Sequence, residues 1–182
     1  MPSIFSHAFS AIAVGSCLPL KKNFGKTLTI GAACSMLPDA DVISFAFGIP
    51  YSSLWGHRGI THSFFFAALL SLIIVLTFYR QSTGRNRYVL LIYFFLATAI
   101  HPILDACTNG GLGVAFFAPF TTERCFFSFR PIRVSPIGAV NFFSERGWAV
   151  FKSELVWVWL PSIGIIGGIA LWRRLLGIGK SK

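Results

Sequence analysis

Five long apolar segments restrict what this chain can fold into. They cover residues 4–20, 27–47, 63–79, 88–107 and 155–172. An α-helix crosses a bilayer core with about 20 apolar residues, so each segment has the approximate length of a membrane span. Charged residues make up only 12% of the chain, compared with roughly 25% in soluble domains. The sequence therefore predicts an all-α fold, a polytopic membrane helical bundle with about five apolar segments.

The five segments differ in how cleanly they fit a membrane span. The third and fourth fit plainly, and the fifth fits although it contains Pro161 and three glycines. The first is interrupted by Ser6 and His7, and the second by residues 38–41, Pro-Asp-Ala-Asp. We expect these two to be either spanning helices with polar ends or partly re-entrant segments. Neither a repeat nor a second domain is visible, so residues 1–182 are expected to form one domain.

Basic residues are concentrated between the apolar segments and after the last one. They form three clusters: Lys21, Lys22 and Lys26; Arg80, Arg85 and Arg87; and Arg173, Arg174, Lys180 and Lys182. Short membrane loops rich in Lys and Arg stay in the cytoplasm, so we expect all three clusters there. Residues 108–152 then form a long extracytoplasmic stretch before the last helix. The clusters explain the net charge of +10, and we expect membrane lipid as a partner and no nucleic acid.

The few acids and histidines gather at the segment ends opposite the basic clusters. Seven of them have this placement: His7, Asp39, Asp41, His57, His62, His101 and Asp105. Ionisable groups at membrane depth are costly, so their presence there indicates a function. A shared cation offsets the cost of burying several carboxylates together. The sequence therefore predicts a divalent metal site, with zinc as the first choice and manganese or iron as alternatives.

Local spacing agrees with a metal site but also allows simpler interpretations. His101 and Asp105 are four residues apart, so a helix presents both on one face. Asp39 and Asp41 diverge in an extended or turn conformation, so that one can bind metal while the other bridges two ions or orients a histidine. Arg58 is a forked donor suited to phosphate or carboxylate. Each feature taken singly also has a simpler interpretation: His101 and Asp105 as a packing pair, Asp39 and Asp41 as a helix N-cap, and Arg58 as a solvated cation.

The same residues carry a resemblance to a known family. Its motifs are His7, PDAD at 38–41, HRGITHS at 57–63 and HPILDACTNGG at 101–111, continued by RPI at 130–132, VSP at 134–136, FFS at 142–144 and Ser153-Glu154. The chain resembles the YdjM-like family of inner-membrane metal-dependent hydrolases. That family is distantly similar to zinc-dependent phospholipases C, which are all-helical and bind clustered metals with His and Asp.

The resemblance implies a set of metal ligands in this sequence. They are His7, Asp39 or Asp41, His62, His101 and Asp105, with His57 as a further candidate. The zinc phospholipases complete their cluster with a second histidine-and-acid helix motif. This chain has no histidine after residue 105. Either fewer ions bind, or Glu123, Glu145 or Glu154 takes that place.

The leading hypothesis is hydrolysis of a phosphoester in a lipid or lipid-linked substrate, with a water acidified by the metal. Asp39 or Asp41 would be the general base and Arg58 the phosphate clamp, helped by Arg124, Arg130 or Arg133. The expected location is the inner membrane, with the site on its extracytoplasmic side. The alternative is a non-catalytic membrane protein, either an ion-binding transporter or a structural factor stapled by its metal.

Overall fold

The computed structural model describes residues 1–19, 23–135 and 144–177. Parts of the basic clusters and of the family motifs lie outside the described residues: Lys21, Lys22, Lys180, Lys182, Pro136, Phe142 and Phe143. Within the described ranges the fold is helical, with isolated β-bridges and no strand. The predicted all-α membrane fold is confirmed.

The described helices form five continuous segments. They are α1 (Ile4–Cys17); α2 (Phe24–Met36) with a 3-10 helix (Leu37–Phe47); α3 (Phe64–Phe78); α4 (Gly84–Ala106); and α5 (Glu145–Glu154), a π-helical turn (Leu155–Trp159) and α6 (Leu160–Leu175). A short 3-10 turn, Ile60–His62, precedes α3. These helices correspond to the five apolar segments of the sequence.

Three of the segments are long and apolar enough to cross a membrane. They are Phe24–Phe47, Gly84–Ala106 and Glu145–Leu175. Helix α3 has only 15 residues, about 22 Å at 1.5 Å per residue, which is shorter than a hydrocarbon core of about 30 Å. The sequence predicted a plain span here. The helix covers the predicted segment except for its end residues, Ser63, which caps the first turn by accepting a hydrogen bond from Phe66 N at 3.1 Å, and Tyr79.

The core of the bundle lies where α1, α2 and α3 pack around α4. Tyr93 and Phe94 of α4 are completely buried there, against Cys34 of α2 and Val75 of α3. Gly31 of α2 allows the close approach of α4, because a Cβ atom at this position would lie 2.0 Å from the hydroxyl oxygen of Tyr93. Small residues at helix contacts are typical of membrane bundles.

The two ends of the bundle differ in chemistry. At one end, which we call the cation end, Arg173 donates to Leu18 O at 2.9 Å, and Lys26 lies over the Tyr79 ring. The hydroxyls of Thr27 and Tyr79 are 2.9 Å apart there. The seven predicted acids and histidines lie at the other end, which we call the site end.

Residues after α4 fold back over the site end. Phe64 N donates to Phe116 O at 2.9 Å, and Ala115 N donates to Arg58 O at 3.1 Å. Val114 and Phe116 are buried against Ala106 of α4. This part of the chain therefore covers the turn that carries His57 and His62.

Candidate metal centre

Four separate parts of the chain supply the predicted site residues. His7 comes from α1, and Asp39 and Asp41 come from the 3-10 helix Leu37–Phe47. His101 comes from α4, with Asp105 one turn later in the same helix. His57 and His62 come from the turns before α3. All four histidines are buried, and Asp105 has no exposed surface. The structure brings all of these side chains into one buried cluster.

Four ligand atoms converge at the centre of this cluster. They are Asp39 Oδ1, His62 Nε2, His101 Nε2 and Asp105 Oδ2. His101 Nε2 is 3.3 Å from Asp39 Oδ1, and His62 Nε2 is 3.4 Å from Asp105 Oδ2. The cross distances are 3.7 Å from His62 to Asp39 and 4.0 Å from His101 to Asp105. We call these four residues the central group.

The spacing of the central group fits a tetrahedral metal ion. Zinc binds nitrogen and oxygen at about 2.0–2.1 Å, which separates the ligands of a tetrahedron by about 3.4 Å. The measured distances lie on both sides of that value. The two Nε2 atoms of His62 and His101 also face each other at 3.0 Å. Either a cation between the two nitrogens or a proton on one of them would satisfy both lone pairs, so the residues fit the predicted metal.

Both histidines of the central group are oriented through their other ring nitrogen. His101 Nδ1 lies 2.7 Å from Ser35 O, and His62 Nδ1 lies 3.1 Å from Asp41 Oδ2. A carbonyl oxygen or carboxylate in this position accepts the Nδ1 proton and leaves Nε2 as the electron-pair donor. Metal-binding histidines are commonly held in this way.

Asp41 is the centre of a hydrogen-bonded group beside the central group. Its oxygens lie 2.5 Å from His57 Nδ1, and they accept hydrogen bonds from Thr61 Oγ1 at 2.5 Å and Arg58 N at 3.2 Å. Asp41, His57 and His62 could also hold an ion on geometry alone. The number of donors around Asp41 favours an orienting role, one of the two roles that its sequence position left open.

His7 lies on the far side of the two carboxylates that belong to the central group. Its Nε2 is 4.0 Å from Asp39 Oδ2 and 3.8 Å from Asp105 Oδ1, and its ring stacks on His101 at 3.7 Å. The Met1 amino nitrogen lies 3.9 Å from the same Asp105 oxygen. Both ring nitrogens of His7 are buried without a hydrogen-bond partner among the described residues. Asp39 and Asp105 thus each direct one oxygen at the histidines of the central group and the other oxygen at His7, as carboxylates shared between two ions do.

Arg58 is buried inside the site end and directs its guanidinium at the protein. Nε lies 3.0 Å from Asp105 Oδ2, and the terminal nitrogens donate to Gly110 O at 2.9 Å and Thr108 Oγ1 at 3.1 Å. Its backbone has φ of 63°, a left-handed conformation that is strained for a residue with a side chain. Gly111 makes the contact possible, since a Cβ there would lie 2.7 Å from an Arg58 nitrogen.

The carboxylates make the central position favourable for positive charge. Burial alone would lower the pKa of His62, but hydrogen bonds to Asp105, Asp39 and Asp41 outweigh that effect and raise its pKa to about 10. Without an ion, His62 therefore carries a proton at neutral pH. Either this proton or a metal ion supplies the charge that the buried carboxylates need.

Several supporting residues were not predicted from the sequence. Thr61, Thr108 and the Ser35 carbonyl orient predicted residues, and only Thr61 and Thr108 lie in the quoted motifs. Arg124, which the sequence suggested as a helper of the phosphate clamp, instead holds the turn before His57 by donating to Tyr51 O, Ser53 O and His57 O, each at 3.0 Å. A carbonyl contact of this kind depends on packing between distant segments and leaves no local sequence signal.

The three glutamates considered as substitutes lie outside the two ligand groups of the described residues. Glu154 is buried, and its carboxylate accepts hydrogen bonds from Ser3 and from Ser6 Oγ at 2.7 Å. Glu145 lies in the first turn of α5, and the backbone N of Glu123 donates a hydrogen bond to Thr121 Oγ1. Glu154 therefore fastens α1 to α5 near the site end.

Comparison with known proteins places the chain in a family. The model of the YdjM inner membrane protein family matches residues 1–175. Inner membrane protein YbcI of Escherichia coli (strain K12) is 36% identical over 179 residues, which cover 96% of this chain and 99% of that protein. No solved structure matches the chain significantly. The extent of both matches, together with the helical membrane fold, means that this chain belongs to the YdjM inner membrane protein family.

Proposed function

We propose that this protein is a membrane-embedded metal-dependent hydrolase that cleaves a phosphoester in a lipid or lipid-linked substrate. The observation that carries the proposal is the central group, four buried imidazole and carboxylate ligands at metal-like spacing. Asp39 Oδ1 and Asp105 Oδ1 lack a hydrogen-bond partner within the described part of the chain. Buried carboxylate oxygens rarely remain in that state without a cation.

Each residue of the site has a proposed role. Asp39, His62, His101 and Asp105 bind the first ion, and His7 with the outer oxygens of the two carboxylates binds a second. A divalent ion here lowers the pKa of a water toward about 7 and offsets the charge of a phosphoester. Asp39 or Asp41 is the proposed general base, because these are the two carboxylates of the cluster with exposed side-chain surface, 9% and 5%.

Arg58 is proposed to position Asp105 as well as to face the phosphate. Its guanidinium already binds the Asp105 carboxylate and the Thr108–Gly110 turn. A substrate phosphate at this point would share those donors, and a forked guanidinium suits both partners. Substrate binding would then loosen the turn that covers the site.

The position of the site favours a substrate that is itself in the membrane. The cation end carries Lys26, Arg80 and Arg173, which the positive-inside rule assigns to the cytoplasm. The site end then faces the extracytoplasmic side of the inner membrane. The exposed aromatic side chains of Phe117 and Phe120 pack against Phe64 and Phe65 at the start of α3, as expected beside lipid.

The experiment that tests this function is a turnover assay on protein reconstituted in lipid nanodiscs. Samples loaded with zinc, manganese or iron are given phospholipids and lipid phosphates, and released diacylglycerol, headgroup and phosphate are measured. We expect turnover that is lost in Asp39→Asn and His101→Ala and kept in Arg146→Gln, an exposed control. Tightly bound metal without turnover of any such substrate would contradict the hydrolase.

Complete burial of the ligands favours one alternative function, a structural metal ion that holds the helices of the bundle together without catalysis. His7, His62, His101 and Asp105 all have 0% exposure, so among the described ligand residues a substrate meets exposed surface at Asp39 and Asp41. Chelator exchange separates the two functions. A catalytic ion that is open to substrate should be removed within minutes of chelator addition, whereas a structural ion should stay bound until the protein unfolds.

A further inference from the structure

A second polar feature lies on α5, away from the metal centre. It is an open pocket of about 410 Å³, lined among others by Arg133, Glu145, Trp148, Lys152 and Trp157. Trp148 and Trp157 are 58% and 47% exposed. Two cations and two indole rings thus line one open cavity, which we call the α5 pocket.

The length of the last helical segment puts the α5 pocket at the level of lipid headgroups. Glu145–Leu175 has 31 residues, about 46 Å at 1.5 Å per residue, against a hydrocarbon core of about 30 Å. Its apolar part, 155–172, is about 27 Å long and fills that core. The charged α5 must then project into the headgroup layer, where tryptophan is enriched.

This segment also faces lipid rather than protein. Only 11% of its most apolar window is buried inside the described structure. The contacts of Glu154 with Ser3 and Ser6 fix α5 at the site end of the bundle. The α5 pocket therefore opens to the same membrane face as the metal centre, among headgroups of that leaflet.

The cations of the α5 pocket are held in place by their neighbours. The Arg133 backbone N donates to Ser153 Oγ at 3.0 Å, which ties the backbone of Arg133 to α5. Lys152 Nζ lies 5.3 Å from the centre of the Trp148 ring, and Phe129 packs edge-on against Trp157 at 5.2 Å. With Glu145 as the one acid of the lining, the pocket keeps a net positive charge.

We propose that the α5 pocket binds the phosphate of an anionic phospholipid headgroup. Arg133 and Lys152 supply the charge, and the two indoles pack against the glycerol and upper acyl chains. The inference does not depend on the metal or on catalysis, because neither cation contacts the central group. It assigns α5 the role of an anchor that sets the depth of the site end in the membrane.

Lipid retention on the full-length protein tests the proposal. The protein is reconstituted with equal amounts of phosphatidylglycerol and phosphatidylcholine, extracted in mild detergent, and its bound lipids are counted by mass spectrometry. We expect wild type to retain phosphatidylglycerol preferentially. Arg133→Gln with Lys152→Gln should weaken that retention roughly 25-fold, since each cation near anionic lipid contributes about fivefold.

A charge-matched control separates a site from general attraction. The double variant Arg130→Gln with Arg146→Gln removes the same amount of charge. Arg130 lies in the segment that also carries Arg133, and Arg146 lies in α5, but neither lines the pocket. This variant should retain phosphatidylglycerol like wild type. Lys152→Glu provides a second pocket variant if the first fails to fold. Equal retention by wild type and pocket variants, equal losses in the control, or equal retention of phosphatidylcholine would each overturn the proposal.

Discussion

At the scale of single residues, the buried histidines divide their two nitrogens between protein and site. His62 and His101 each direct Nδ1 to a protein oxygen, and this leaves Nε2 for the central position. An imidazole is costly to bury without partners, and this arrangement satisfies one side while leaving the other for a cation. Asp41 is the residue that binds Nδ1 of His62. The orienting role of Asp41 can therefore be tested separately from the metal-binding role of Asp39.

Asp41→Asn should weaken metal binding without abolishing it. The amide cannot accept from His57, Thr61 and His62 as the carboxylate does, so His62 loses its fixed orientation. Loss of such an orienting carboxylate lowers metal affinity about 10–100-fold. The measurement is a competition titration against a coloured chelator, with Asp39→Asn as the comparison. An equal loss in both variants would mean that Asp41 itself binds the ion.

Arg58→Gln should destabilise the protein more than it weakens substrate binding. The change leaves Asp105 without its 3.0 Å partner in a fully buried position, and breaking a buried pair costs about 3–5 kcal/mol. Arg58→Lys should recover part of the stability, because it keeps the charge but loses the fork to Thr108 and Gly110.

Thermal unfolding in detergent measures the effect of these Arg58 changes. Arg130→Gln serves as the control, since Arg130 is exposed and lies over the Phe126 ring. The expected order of Tm is wild type and control highest, Arg58→Lys intermediate and Arg58→Gln lowest. An unchanged Tm with a raised KM would instead identify Arg58 as a phosphate clamp alone.

At the scale of helices and turns, the 3-10 helix Leu37–Phe47 explains how neighbouring acids serve different partners. With 3 residues per turn, positions two apart are separated by about 240° around the axis. Asp39 consequently reaches His101, while Asp41 reaches His57 and Thr61. The sequence predicted the divergence of the two carboxylates from a break at Pro38. It did not predict that the helix continues as a 3-10 helix, because that depends on packing at the site end.

Close packing of α2 against α4 provides a second test at this scale. Gly31→Ala should lower stability by about 1–3 kcal/mol, since the new methyl group overlaps the buried Tyr93 ring. Gly25→Ala in the same helix has open space around its Cβ and should keep or slightly raise stability, because alanine favours the helix more than glycine. The Tm values of the two variants give the comparison, and equal values would contradict this packing.

At the scale of the whole molecule, the two ends of the bundle carry opposite chemistry. The sequence predicted this separation from charge and apolar length, because both are additive properties that need no tertiary contacts. The helical membrane fold and the family follow the prediction. The cover formed by residues 107–135 could not be predicted, since its contacts with Phe64 and Arg58 join positions about 50 residues apart. Metal binding by the predicted residues stays a prediction.

The orientation in the membrane can be measured by cysteine labelling. In a protein with its four native cysteines replaced, Phe120→Cys at the site end and Arg85→Cys at the cation end are tested separately. An impermeant maleimide applied to intact spheroplasts should label position 120 and leave position 85 unlabelled until the cells are opened. The reverse pattern would put the site in the cytoplasm.

The most direct test of the metal centre is elemental analysis of the purified protein. After reconstitution with zinc, manganese or iron, we expect near-stoichiometric metal in wild type and in Gly25→Ala. Asp39→Ala, His101→Ala and Asp105→Ala should lose it while size-exclusion chromatography shows that they remain folded. Absence of every one of these metals from folded wild-type protein would contradict the metal centre, and the cluster would then be a hydrogen-bonded proton network.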